Sequence, residues 1–231
     1  MKIAEIFNSI QGEGKFTGTP SIFIRTSGCN LRCTWCDTPY ASWTPRGDNM
    51  NVDEILAKVQ QDDTKHVVIT GGEPMIQQEL QELAKQLRRL GKFVTVETAG
   101  TVWQEVPIDL ASISPKLSNS TPTDREGGKY AKQHEELRLQ PQVLRKFASS
   151  RKIRSIQWKF VVSSPEDLVE IDDVLKLIGK VNPDDVVLMP EGIEDQQLRQ
   201  RGKWVVQICK ERGFRFGPRL QIWLYGNTPG T

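Results

Sequence analysis

Cys29-Asn30-Leu31-Arg32-Cys33-Thr34-Trp35-Cys36 holds three of the chain's four cysteines in the spacing C-x3-C-x2-C. Thiolates are soft ligands, and three so close together point to an inorganic centre. A structural zinc ion normally closes its tetrahedron with a fourth Cys or His. None lies nearby: His66 and His134 are distant in sequence, and Cys209 falls on the apolar stripe of a helix. Three thiolates without a fourth protein ligand fit a four-iron, four-sulfur cluster with one iron left open, since such clusters usually take four cysteines. Zinc remains an alternative. A disulfide is the weaker one, because three is an odd number.

Outward from this stretch, the chain has 231 residues and a net charge of only +2. That length can bury a substantial single-domain core. The near balance of charge argues against a nucleic-acid binder, which carries a basic surplus. Met1 is followed by mixed Lys, Glu and Asn rather than an apolar leader, and no apolar run approaches the ~20 residues needed to cross a bilayer. The expectation is a cytoplasmic protein, where thiols stay reduced.

Upstream of the cysteines, Lys2 to Ser9 reads as a strand entering Gln11-Gly12-Glu13-Gly14, and Pro20 to Thr26 as a short apolar strand. Downstream, Asn51-Val52-Asp53-Glu54 has the pattern of a capping box. His66 to Thr70 is a β-branched run suited to a buried parallel strand, ending at Gly71-Gly72-Glu73-Pro74. Ile76, Leu80, Leu83, Leu87 and Leu90 mark one helical face, closed by Gly91. Further strands are expected at Lys92–Glu97, Ile108–Ile113, Ile156–Val162, Asp185–Met189 and Leu220–Leu224, with helices at about 134–147, from Ser164-Pro165-Glu166, and from about Glu194 to Arg212. Residues 117–134 are rich in Ser, Thr, Pro, Asp and Gly and read as a polar loop or lid within one domain spanning 1–231. Strands alternating with helices indicate a parallel α/β architecture.

The C-x3-C-x2-C stretch, with an aromatic before its last cysteine, resembles the radical S-adenosylmethionine (SAM) enzymes. The resemblance implies a partial, open TIM-like barrel with its ligands at the C-terminal strand ends, as in closed barrels; about six strand units are too few for the eightfold form. It implies that Cys29, Cys33 and Cys36 hold a 4Fe–4S cluster whose open iron binds SAM, and that reductive cleavage gives a 5′-deoxyadenosyl radical. SAM contacts are implied at Trp35, Cys36 and Asp37, at Gly72 and Glu73, at Ser114, Pro115 and Lys116, and at Gln157, Trp158, Lys159 and Phe160. Each has a mundane reading too: Gly-Gly-Glu-Pro alone is usually a turn, and Gln157 and Lys159 suit an exposed strand face.

Ile10-Gln11-Gly12-Glu13-Gly14, Arg25 and Cys36-Asp37-Thr38 narrow the resemblance to the 7-carboxy-7-deazaguanine synthases. Those enzymes convert 6-carboxy-5,6,7,8-tetrahydropterin to 7-carboxy-7-deazaguanine with loss of ammonia, on the route to queuosine. Substrate contacts are implied at Ile10, Gln11, Gly12, Glu13, Arg25 and Thr70, and a Mg2+ ligand at Thr38. Glu13 suits the donor pair on a pterin edge, and Arg25 suits a carboxylate. An electron donor such as flavodoxin, a homodimer, and no contact with nucleic acid or membrane complete the expectation. Two rivals share features of this sequence: a radical SAM activase that makes a glycyl radical on a partner enzyme, and a non-catalytic zinc-binding module.

Overall fold

The apolar and β-branched runs of the sequence become neighbours in a single sheet. The computed structural model describes every residue from Met1 to Thr231. Its strands are β1 Lys2–Ile10, β2 Pro20–Thr26, β3 Asp48–Asn49, β4 His66–Gly71, β5 Phe93–Thr98, β6 Ile108–Ile113, β7 Ile153–Val162, β8 Val186–Pro190 and β9 Arg215–Phe216. They lie in the order β3-β1-β2-β4-β5-β6-β7-β8-β9. From β2 onward every pairing is parallel. β1 and β3 are antiparallel to their neighbours. The reason is chain length: β1 and β2 are joined by the short loop 11–19, whereas a parallel return needs a crossover of a dozen or more residues.

The helices are α1 Pro39–Ser42, α2 Val52–Val59, α3 Leu80–Arg89, α4 Ala131–Arg138, α5 Pro141–Ser149, α6 Asp167–Ile178, α7 Asp195–Arg212 and α8 Leu220–Tyr225. α2 starts with the expected capping box: Glu54 N donates to Asn51 Oδ1 at 2.9 Å, and Asn51 N to Glu54 Oε2 at 2.8 Å. Leu80, Leu83 and Leu87 of α3 are buried against the sheet, and Cys209 of α7 sits in the same core. The open sheet with helices packed over it is a partial TIM barrel: the alternation indicated its parallel α/β architecture, and the radical SAM resemblance implied the open barrel.

One local expectation fails. Leu220–Leu224 is helical, not a strand. β9 already occupies the sheet edge, and Leu220 N is tied to Gly12 O at 3.0 Å. The strand preference of Ile, Trp and Leu is overruled when no partner edge is left. Residues 117–134 are irregular for most of their length before α4 begins at Ala131. Short 3-10 turns form at Ser118–Ser120 and Arg125–Gly128. The segment is bonded to the cysteine loop: Thr34 N donates to Ser120 O at 2.8 Å, Trp35 Nε1 to Asn119 O at 3.1 Å, and Arg125 Nη1 to Thr34 O at 3.0 Å.

Candidate active site

The cysteine loop leaves β2 at its C-terminal end and is seated on the glycine pair that ends β4. Glu73 N donates to Gly28 O at 2.9 Å, and Gly28 N to Ala41 O at 2.8 Å. A Cβ on Gly72 would stand 2.1 Å from Gly28 O and 2.6 Å from Ala41 O. Only glycine permits that approach. Within the loop, Leu31 N points to Cys29 Sγ at 3.4 Å, Ser42 Oγ lies 3.0 Å from Cys36 Sγ, and Trp43 Nε1 donates to Cys33 O at 3.0 Å. All four cysteines of the chain are free thiols. Burial pushes the Cys29 and Cys33 thiols up to about 12, so both stay protonated until a metal centre displaces the protons.

Beside this loop lies a cavity of about 440 Å³ at the C-terminal strand ends. Of the residues expected from the sequence, it gathers Ile10, Gln11, Gly12, Glu13, Arg25 and Thr70 with Trp35, Asp37, Thr38, Gly72, Ser114, Lys116 and Lys159. Parallel strands explain this: their ends open onto one rim, and residues far apart in sequence meet there. Lys116 Nζ is 2.8 Å from Ser114 Oγ and lies over the Trp35 ring, 5.6 Å from its centroid. Arg25 Nε donates to Glu5 Oε1 at 2.5 Å, while its two terminal nitrogens form no hydrogen bond within the protein.

Glu13 is the best-supported side chain in the cavity. Its Oε2 accepts from Lys159 Nζ at 2.5 Å, and its Oε1 from Arg219 Nε at 3.1 Å and Gln221 Nε2 at 2.9 Å. Arg219 also donates to Asp37 and, at 2.6 Å, to Gly192 O. Burial alone would raise the Glu13 carboxyl. Lys159 and then Arg219 outweigh it and hold the group well below the usual carboxylate range. Lys159 is shifted up in turn: burial opposes its charge, and Glu13 and Glu97 more than offset that.

A model of the Radical SAM superfamily matches residues 23–116. A 7-carboxy-7-deazaguanine synthase from Rhodopirellula baltica is 46% identical over 229 residues, covering 99% of this chain and 88% of the relative. One from Halobacterium salinarum is 44% identical over 241 residues, covering 100% and 93%. The chain belongs to the 7-carboxy-7-deazaguanine synthase family. The crystal structure of QueE from Escherichia coli superposes with a TM-score of 0.69 at 28% identity, over 94% of this chain and 92% of that one.

As a member of the 7-carboxy-7-deazaguanine synthase family the chain is a radical SAM enzyme that works with a 4Fe–4S cluster and SAM. The donor set fits that cluster. Cys29 and Cys36 pack with Cys33 around Leu31 and Ala99, so the three soft thiols are gathered at one place in the loop. A cubane distributes its thiolates over separate irons, so its ligands need no common point.

The synthase assignment leaves several expected contacts to be placed. On β7 the side chains alternate across the sheet. Lys159 faces the cavity, while Trp158 and Phe160 are buried in the core under the helices. Gln157 is buried and braces the loop below the cavity: its Oε1 accepts from Lys15 N at 2.8 Å, and its Nε2 donates to Ser112 Oγ at 2.7 Å. Pro115 is buried outside the cavity lining. Glu73 lies behind the cavity wall, fully buried. It accepts from Met75 N, Thr98 Oγ1 and Ala99 N at 3.0, 2.7 and 2.8 Å, and so staples the β4 and β5 ends together. Burial pushes its carboxyl up against the pull of those three donors.

Sequence reasoning missed Arg219 and Gln221 as cavity residues, and it marked Glu97 only as one of the polar residues at strand ends, with no contact assigned. Glu97 accepts from Gln11 Nε2 at 3.1 Å and Thr70 Oγ1 at 2.9 Å, joining two expected substrate contacts. Its place at the C-terminal end of a strand was the available signal. Arg219 and Gln221 carried none, being 206 and 208 residues from Glu13.

Proposed function

We propose that the chain forms 7-carboxy-7-deazaguanine from 6-carboxy-5,6,7,8-tetrahydropterin, with release of ammonia, in this cavity. The observation that carries the reading is one wall presenting an ionised Glu13 and a half-engaged Arg25, with Trp35 and Lys116 on the cluster side. When bound, the cluster and SAM supply the deoxyadenosyl radical that abstracts hydrogen from the substrate. The residues bind, orient and exclude water. The free terminal nitrogens of Arg25 offer a planar fork to the substrate carboxylate. Gly72, Ser114, Lys116 and Trp35 are assigned to SAM. Thr70 and Gln11 lie on the pterin side, with Glu97 between them.

The pterin edge meets Glu13 on different terms from those expected. A carboxylate offers about four lone-pair sites. Three are already taken by Lys159, Arg219 and Gln221. Bidentate recognition by Glu13 alone would displace one of them. Glu97, with two donors, has capacity left for a second substrate N–H.

Thr38 is assigned to Mg2+. Thr38 lines the cavity beside Asp37, and one hard oxygen suffices where waters and a substrate carboxylate complete the shell. A flavodoxin-type electron donor and a homodimer follow from the family resemblance. A cytoplasmic location agrees with four free thiols.

The test is anaerobic reconstitution followed by assay with SAM, reductant and the carboxytetrahydropterin. Product should appear by mass and ultraviolet absorbance. Arg25→Ala should weaken the carboxylated substrate far more than a decarboxylated analogue, with SAM affinity little changed. Deoxyadenosine formation only in the presence of a glycyl-radical partner protein, and none with the pterin, would overturn this in favour of an activase.

A further inference from the structure

α4 is a polar helix with one buried residue, His134. The ring is only 1% exposed, and no step of the reaction uses it. Its Nδ1 accepts from Arg32 N at 3.2 Å, and its Nε2 is 2.9 Å from Ser120 Oγ. Ser120 Oγ donates its single proton to Leu117 O at 2.6 Å. The serine must therefore accept from the ring, which fixes the neutral tautomer with the proton on Nε2. Ser120 in turn accepts Thr34 N on its carbonyl at 2.8 Å. The amides on both sides of Cys33 are thus held by one joined pair, His134 and Ser120. One turn further along α4, Leu137 packs against the small cluster of Leu31, Cys33 and Ala99. Trp43 Nε1 grips Cys33 O independently.

We propose that His134 is a positioning residue for the iron–sulfur centre: through the Arg32 amide it fixes the loop that carries Cys33. The proposal rests on the radical SAM reading of the site. It gives segment 117–134 a role as a buttress for the cluster loop. The logic is that of outer-shell groups around metal ligands, whose loss typically costs ten- to a hundredfold in metal retention or activity.

The test compares wild type with His134→Phe, which fills the space but removes both hydrogen bonds, and His134→Asn, whose amide oxygen can stand in for Nδ1. His66→Phe is the control. His66 is also buried and bonds two hydroxyls, Ser21 Oγ at 2.8 Å and Thr95 Oγ1 at 2.7 Å, near the opposite ends of the strands. Each protein is reconstituted anaerobically. Iron and sulfide content, the rate of iron loss to an Fe(II) chelator, the electron paramagnetic resonance spectrum of the reduced cluster and the melting temperature are then measured.

His134→Phe should lose iron roughly ten- to a hundredfold faster with an altered spectrum. His134→Asn should restore most of the retention, and His66→Phe should match wild type in iron loss even where it melts earlier. If His134→Phe cannot be purified, Ser120→Ala should lose iron several-fold faster, and a wild-type rate there overturns the proposal. So does a wild-type rate in His134→Phe, or equally fast loss from His66→Phe, which would mean general loosening. A wild-type chain that holds no iron at all would sink the radical SAM reading and the proposal together, with the failure located in the former.

Discussion

Glu13→Gln removes the charge from a carboxylate that two buried cations share. The side chains of Lys159 and Arg219 are each 8% exposed, and that of Glu13 is 14% exposed. The amide keeps one acceptor oxygen. If that oxygen stays with Arg219 and Gln221, an NH2 group faces Lys159 Nζ where 2.5 Å now separates opposite charges. Breaking a buried pair by removing one partner costs about 3–5 kcal/mol, because the remaining charge stays desolvated. Asp37 still neutralises Arg219, and Glu97 still attracts Lys159, so the lower end applies. At about 2–4 °C per kcal/mol for a domain of this size, the melting temperature should fall by roughly 6–12 °C. The assay is thermal unfolding of Glu13→Gln, Lys159→Met and the double variant. If the cost comes from the stranded ammonium, Lys159→Met in the Glu13→Gln background should recover part of the loss, giving a coupling of at least ~1 kcal/mol. A Glu13→Gln protein that melts with wild type, or strictly additive variants, would refute the reasoning.

Iron content after reconstitution should collapse in Cys29→Ala, Cys33→Ala and Cys36→Ala. It should persist in Cys209→Ala, whose thiol lies in the core under α7; iron loss from a well-folded Cys209→Ala chain would contradict this. Gly72→Ala should fail to hold the cluster, because its Cβ would be 2.1 Å from a backbone oxygen that cannot swing away; normal iron content would show the β4 end to be softer than described. Acid should destabilise the fold in two ranges. Burial keeps His66 neutral, so stability is complete above the ordinary histidine range and falls as pH drops below about 6.5, where the unfolded chain takes up the proton first. Glu13 is depressed, so its contribution holds above the usual carboxylate range and is lost as pH falls through and below it. A melting temperature flat from pH 7 to 5 would contradict the first range.

What the sequence makes legible follows from the range of the forces involved. The Asn51 and Glu54 capping box, the α3 leucine face and the β4 run are local patterns, and each forms where its spacing places it. The cysteine loop is legible for a chemical reason: three soft ligands in eight residues have few other uses. Leu220–Leu224 was misleading because strand preference depends on a free edge, and β9 had taken it. The side chains of Trp158 and Phe160 turn into the core through strand alternation, which separates a four-residue motif onto two faces. The Glu13 cage is illegible altogether, since Lys159, Arg219 and Gln221 come from the far end of the chain and meet it only through the sheet.

The distance along the chain between Glu13 and Arg219 has a consequence for biogenesis. Glu13, Lys159 and the Gly72 seat of the cysteine loop all belong to the part of the chain that ends with β8. Arg219 emerges from the ribosome only after α7 and β9, and with it the link from Glu13 to Asp37 beside the last cysteine. Until then the rim of the barrel is assembled on one side only. The stretch from Arg219 onward, which lines the cavity with Arg219, Gln221, Ile222 and Asn227, therefore completes the chamber wall last in synthesis.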